Sequence, residues 1–100
     1  MREAGLTEEA AEYFLLALQK NANNIDARIA LKKEGQRLLD EKLEKFYRLY
    51  TAEDFIGATL KYIEALDYKR TVDPYVKLEL APYYADYFEE SKKVYLEDKY

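Results

Sequence analysis

Carboxylates are the main chemical material of this sequence, with 20 Asp and Glu against 16 Lys and Arg and no His or Cys in 100 residues. Asp86 and Glu90 stand four apart with Glu89 beside them, a spacing that puts Asp86 and Glu90 on one helix face. A metal site or an acid/base pair built there needs burial and further ligands from other elements. The absence of His removes the commonest general base and zinc ligand, and the absence of Cys removes thiolate nucleophiles, Cys-ligated metals and disulfides. No third acid is spaced to join the group, so these carboxylates read as a solvated helix face. No glycine-rich phosphate loop supports nucleotide binding. The expectation is a non-enzyme with no catalytic residue, no metal and no cofactor.

Tyrosine is the other unusual material, 11 residues in all, with Tyr62, Tyr68, Tyr75, Tyr83, Tyr84 and Tyr87 late in the chain. Aromatic residues at helical spacing usually fill the space between helices, and that reading takes Tyr62 and Tyr84. Tyrosine also makes good interface anchors, offering a large rigid area with a hydroxyl handle. Tyr68, Tyr83 and Tyr87 are therefore the candidates for a partner-binding surface.

These residues need elements to hold them. Apolar residues make up 49% and charged residues 36%, too hydrophobic for disorder, and 3 Gly with 2 Pro leave few turns. Leu, Ala, Glu and Lys in quantity mean long helices. The net charge of −4 and pI near 4.9, with both signs interleaved, lack the basic footprint of a nucleic-acid binder. No apolar run approaches the ~18 residues of a membrane span, so no membrane insertion is expected. No signal peptide opens the chain, and cytoplasm and cell envelope both remain open as locations.

The pattern predicts an all-α chain, a single domain over 1–100, with helices near 8–21, 25–50, 52–69 and 82–97. Thr7 reads as an N-cap ahead of Glu8 and Glu9, and Ala10, Phe14, Ala17 and Leu18 make the first apolar face. Asn21-Ala22-Asn23-Asn24 turns the chain and caps the next helix. Ala27, Leu31, Leu38, Leu39, Leu43, Phe46 and Tyr50 form the second stripe, with Glu41–Lys45 and Glu44–Arg48 pairs opposite. Gly35 within that helix reads as a site of close approach by a neighbour.

Thr51 with Asp54 three residues later reads as the start of the third helix, whose inward residues are Phe55, Ala58, Tyr62, Ala65 and Leu66. Lys69 and Arg70 suit its C-terminus. Residues 71–81 read as an irregular connector. Asp73-Pro74 is able to cap a short turn there. Val76, Leu78 and Leu80 alternate as in a strand that has no evident partner. Pro82 opens the last helix, with Tyr84, Ala85, Phe88, Ser91 and Tyr95 along one side.

Ala10-Phe14-Ala17 and Ala58-Tyr62-Ala65 repeat one small–aromatic–small spacing. Such a face resembles the second helix of a tetratricopeptide (TPR) repeat, and Asn23-Asn24-Ile25-Asp26-Ala27 is similar to that family's inter-repeat turn. The resemblance covers roughly residues 8 to 70. It departs in the missing Trp and Leu-Gly of the first helix, and in Ala22 and Arg70 where the family has Pro. The separation of the copies also exceeds the usual period of about 34 residues by about four helical turns. The chain also resembles repeat segments of envelope-associated proteins of the Bacteroidetes.

The TPR resemblance implies antiparallel helix hairpins stacked as a right-handed solenoid fragment, working as a non-catalytic protein–protein interaction scaffold. The partner would be a protein or peptide. Lys69 and Arg70 beside Tyr68 would meet an acidic peptide end, as basic residues do in some grooves of the family. Val94–Tyr100 is similar to Leu49–Phe55, the junction before the third helix, so the chain reads as a fragment of a longer repeat protein. Exposed repeat ends then imply a homo-oligomer. A structural spacer of a larger envelope-associated protein, mainly self-associating, is the alternative.

Overall fold

Four helices account for most of the chain in the computed structural model, which describes residues Ala4 to Lys99, with side chains over 7–97. They are α1 (Ala4–Lys20), α2 (Ile25–Thr51), α3 (Phe55–Val72) and α4 (Tyr83–Lys99), and no strand occurs among the described residues. The expected all-α class is what the structure shows. Two compact units divide it: the first takes residues up to Glu41 together with Tyr68–Glu79, the second Lys42–Asp67 together with Leu80 onward. Helices α2 and α3 each pass from one unit to the other.

Local chemistry sets the helix ends. Asn24 caps α2, its Oδ1 accepting from the Ala27 N–H at 3.0 Å. Asn21 turns the chain just before, its own side chain accepting from the Asn23 N–H at 3.1 Å. The expected asparagine cap is present.

The junction between α2 and α3 differs from the sequence expectation. Thr51 ends α2 rather than opening α3, and its hydroxyl donates back to the Arg48 carbonyl at 3.0 Å. Glu53 takes the left-handed conformation, with φ of 63°. Its N–H donates to the Tyr50 carbonyl at 3.0 Å and the Asp54 N–H donates to the Leu49 carbonyl at 2.9 Å. That pair of bonds is a Schellman cap with glutamate where glycine is usual. The turn carries the chain to Asp54, which becomes the N-cap of α3 and accepts the Gly57 N–H at 3.0 Å. A Cβ on Gly57 would lie 2.5 Å from the Asp54 carboxylate, so a glycine there leaves the cap room to close. An L-residue in the left-handed region costs roughly 1–2 kcal/mol. Glu53→Gly is therefore expected to raise stability by about 1 kcal/mol. A higher urea midpoint at unchanged slope checks it, and an unchanged midpoint contradicts it.

The first unit is built on Leu18, Leu31, Leu39, Val72 and Leu78, all fully or almost fully buried. Thr7, expected as a cap, lies inside α1 and is fully buried, because the helix already starts at Ala4 and runs through Gly5. The deepest positions of α1 are Thr7, Ala11 and Leu18, while Ala10, Phe14 and Ala17 are half-buried. In α3, by contrast, Ala58, Tyr62 and Ala65 are all buried. The two copies of the small–aromatic–small spacing thus sit in different surroundings.

Gly35 faces Leu31, the Tyr68 hydroxyl and Leu78, which a Cβ would meet at 3.4, 3.4 and 3.6 Å. These are ordinary van der Waals distances, so neighbours that include the connector pack on Gly35 without an approach that only glycine permits.

Helix α3 runs on through Val72, so the connector expected over 71–81 begins only at residue 73; it turns over 73–76, and residues 77–81 form neither helix nor strand, with Leu78 tucked in. The Gln36 side chain stands in for a neighbouring strand: its Nε2 donates to the Glu79 carbonyl and its Oε1 accepts the Glu79 N–H, both at 2.8 Å. Asp73 accepts from the Leu78 N–H at 3.1 Å and from Lys69 Nζ at 2.6 Å. Partial burial works to raise the Asp73 pKa, but these donors and the nearby lysine charges hold it below the ordinary value.

The second unit centres on Phe46, fully buried, whose ring lies 4.8 Å from Tyr62; Tyr62 in turn stacks on Phe88 at 4.4 Å. Thr59 and Ser91 are also buried, and each hydroxyl donates to the carbonyl four residues back, Phe55 at 2.8 Å and Tyr87 at 3.0 Å. Small side chains that satisfy themselves in this way let helices pack closely. Ala85 is exposed rather than inward, the inner side of α4 being carried by Ser91 with half-buried Tyr84, Phe88 and Tyr95. Helix α4 continues through residues 97–99, whereas α2 has ended at Thr51 in the Leu49–Phe55 junction that this segment is similar to. The match at Tyr100 lies outside the described residues.

Candidate interaction surface

Aromatic rings run outward from the core of the second unit. Phe46 lies 6.2 Å from Tyr50 and 6.1 Å from Tyr84. Tyr50 lies 4.8 Å from Tyr87, 6.3 Å from Tyr47 and 5.7 Å from Phe55. Tyr87 lies 5.6 Å from Tyr47 and 6.3 Å from Tyr83. Tyr47 is 42% exposed and Tyr83 55%, while Tyr50 and Tyr87 are half-buried between them. Four tyrosines thus form a surface cluster whose base is the fully buried Phe46.

Helical spacing explains the assembly. Tyr47 and Tyr50 stand three apart on α2, and Tyr83, Asp86, Tyr87 and Glu90 share one face of α4. The Tyr50 hydroxyl donates to Glu90 Oε2. That hydrogen bond first, then partial burial and the Glu90 charge, pushes the Tyr50 phenol up to about 12.

Of the expected partner-binding residues, the structure brings Tyr83 and Tyr87 together. Tyr68, Lys69 and Arg70 belong to the other unit. There Tyr68 is half-buried against Gly35, and burial, then the Glu8 charge, pushes its phenol up to about 12. Lys69 is engaged by Asp73, and Arg70 is exposed. The sequence reading did not single out Tyr47, and it placed Tyr50 on the buried stripe of α2, where the structure leaves it half-buried. The signal for them was the ring spacing of Phe46, Tyr47 and Tyr50 close to the end of a helix, with one side already assigned to the core.

Burial also raises the Tyr62 phenol, and the raised phenols carry a pH signature. A phenol with an unfolded value of 10.0 that keeps its proton to about 12 when folded makes the native state the better proton binder between those values. Its stabilising contribution is complete below pH 10 and disappears as pH climbs through that window. Ultraviolet absorbance of the phenolate is expected to show Tyr50, Tyr62 and Tyr68 lagging the rest in the folded protein and joining them in urea. A single wave from folded protein contradicts the assignment.

Asp86, Glu89 and Glu90, the acids weighed for chemistry, are exposed, and Glu89 pairs with Lys92 at 3.2 Å. No cluster of three or more acids able to hold a metal ion occurs among the described residues. No helix among them is long and apolar enough to cross a membrane.

The class the fold defines is all-α. No family model, curated protein or solved structure matches the chain.

Proposed function

We propose that the chain is a non-catalytic protein-interaction scaffold of TPR-like type, and that it holds a partner segment against the tyrosine cluster of its second unit. The observation that carries this reading is the surface group of exposed Tyr47 and Tyr83 with half-buried Tyr50 and Tyr87, linked by ring contacts over a buried Phe46. Rigid aromatic side chains lose little entropy on binding and supply large contact area, the properties of interface anchors. The helical repeat spacing and the short asparagine turn support the TPR-like description.

Peptides selected from a random display library against the whole chain test the reading. Substituting Tyr47, Tyr83 and Tyr87 together by Ala is expected to weaken the selected ligands by about 100-fold, the scale of a lost anchor cluster, with the helical signal unchanged. Ligands that bind the triple variant as well as the parent would refute it.

A second reading, an assembly piece that associates mainly with itself, is favoured by α3. Its outer residues Ile56, Leu60 and Ile63 are exposed at 36%, 50% and 40%, at helical spacing on one face. Concentration-dependent mass that collapses to the monomer on Leu60→Lys would support it. A monomer at every concentration would exclude it.

A further inference from the structure

The charges around the tyrosine cluster decide what kind of segment it accepts, an inference that rests on the proposed interaction role. On the α4 side the cluster is edged by Asp86 and Glu90, both exposed and neither in a salt bridge among the described residues. Of the neighbouring cations, Arg48 is paired with Glu44, and Lys92 with Glu89 while also lying 5.4 Å from the Phe88 ring centre, and exposed Lys93 stands one turn beyond Glu90. The surface therefore offers ring faces, the Asp86 carboxylate and the second oxygen of Glu90, two acids against the single cation Lys93 at its far end. The chain as a whole is also acidic, at −4.

Ring faces attract cations through the negative side of their quadrupole, and a guanidinium both stacks flat on a ring and forks onto a carboxylate. An acidic or phosphorylated segment would instead meet two like charges. Lys92 over Phe88 shows the same pairing, ring face with cation, within this unit.

We propose that the Tyr47–Tyr50–Tyr83–Tyr87 surface binds an arginine-bearing segment of a partner protein, with guanidinium groups stacked on the tyrosines and held by Asp86 and Glu90. Tyr50 is a positioning residue here. Its hydroxyl fixes the Glu90 carboxylate at the edge of the ring cluster.

The test uses the full chain and a short Gly-Ser peptide with spaced arginines, beside the same peptide with citrulline, which keeps the shape and removes the charge. The arginine peptide is expected to bind and the citrulline peptide to bind at least about tenfold more weakly. Asp86→Asn with Glu90→Gln is expected to erase that preference, and because glutamine still accepts the Tyr50 hydrogen bond the ring geometry stays. Rising salt is expected to weaken the arginine peptide. Equal binding of the two peptides, or a preference that survives the double substitution, overturns the inference while leaving the interaction role standing. Failure of the arginine peptide to bind, with display-selected ligands still lost on removing the tyrosines, overturns it in the same way. Loss of tyrosine dependence among the selected ligands refutes the interaction role itself.

Discussion

Phe46→Ala is expected to lower the unfolding free energy by about 3–5 kcal/mol, the usual range for truncating a fully buried phenylalanine. Its ring has no solvent exposure and lies 4.8 Å from Tyr62, 6.2 Å from Tyr50 and 6.1 Å from Tyr84. Removing it subtracts the transfer free energy of the ring and leaves a void. The large, stiff rings around it are poorly suited to closing that void. The same change loosens the base on which Tyr50 rests, so binding at the tyrosine cluster should weaken together with stability. Urea unfolding followed by circular dichroism measures the first effect. A loss under about 1 kcal/mol, the cost of a trimmed methyl, would mean that Phe46 does not centre this unit.

Leu78→Ala is the second large effect, expected at about 2–5 kcal/mol. Leu78 is 1% exposed although it lies in an irregular segment, and one of its methyl groups sits 3.6 Å from where a Gly35 Cβ would be. The backbone on both sides is already committed: the Leu78 N–H to Asp73, and Glu79 to the Gln36 amide through two hydrogen bonds. That fixed backbone limits how far the segment can collapse into the space a lost side chain leaves. Val76, half-buried in the same segment, makes the control: Val76→Ala should cost clearly less. Equal effects from the two substitutions would contradict the anchoring role given to Leu78.

These elements also show which parts of the structure the sequence makes legible. The α2 stripe is plain because Leu31, Leu38, Leu39, Leu43 and Phe46 recur at helical spacing, and all of them are buried. Helix existence follows from periodicity, which is local. The helix ends are harder because neighbouring residues compete for one role. Thr51 and Asp54 both suit an N-cap, and the left-handed turn at Glu53 decides for Asp54. Nothing about a glutamate announces that turn.

The connector was legible as irregular, but its partner was not. Asp73 holds Leu78 from nearby, but the groups that satisfy Lys77 and Glu79 come from Lys32 and Gln36, more than forty positions away in sequence and invisible to a local reading. The candidate surface is split for the same reason. Tyr83 and Tyr87 are one helical turn apart and could be read together, whereas joining them to Tyr47 and Tyr50 requires the packing of α2 against α4 within the second unit. Tyr68 stands near them in sequence order yet packs against Gly35 in the first unit.

The central claim, that the tyrosine cluster is the binding face, is tested most directly by mapping a bound ligand. Nuclear magnetic resonance spectra of the whole chain, recorded with and without the tightest display-selected peptide, would give its footprint. The account expects shifts confined to Tyr47, Tyr50, Tyr83 and Tyr87, with Asp86 and Glu90 at the edge. Shifts on the exposed Tyr13, Leu16, Ile25 and Ile29 of the first unit, with the four tyrosines unmoved, would contradict it.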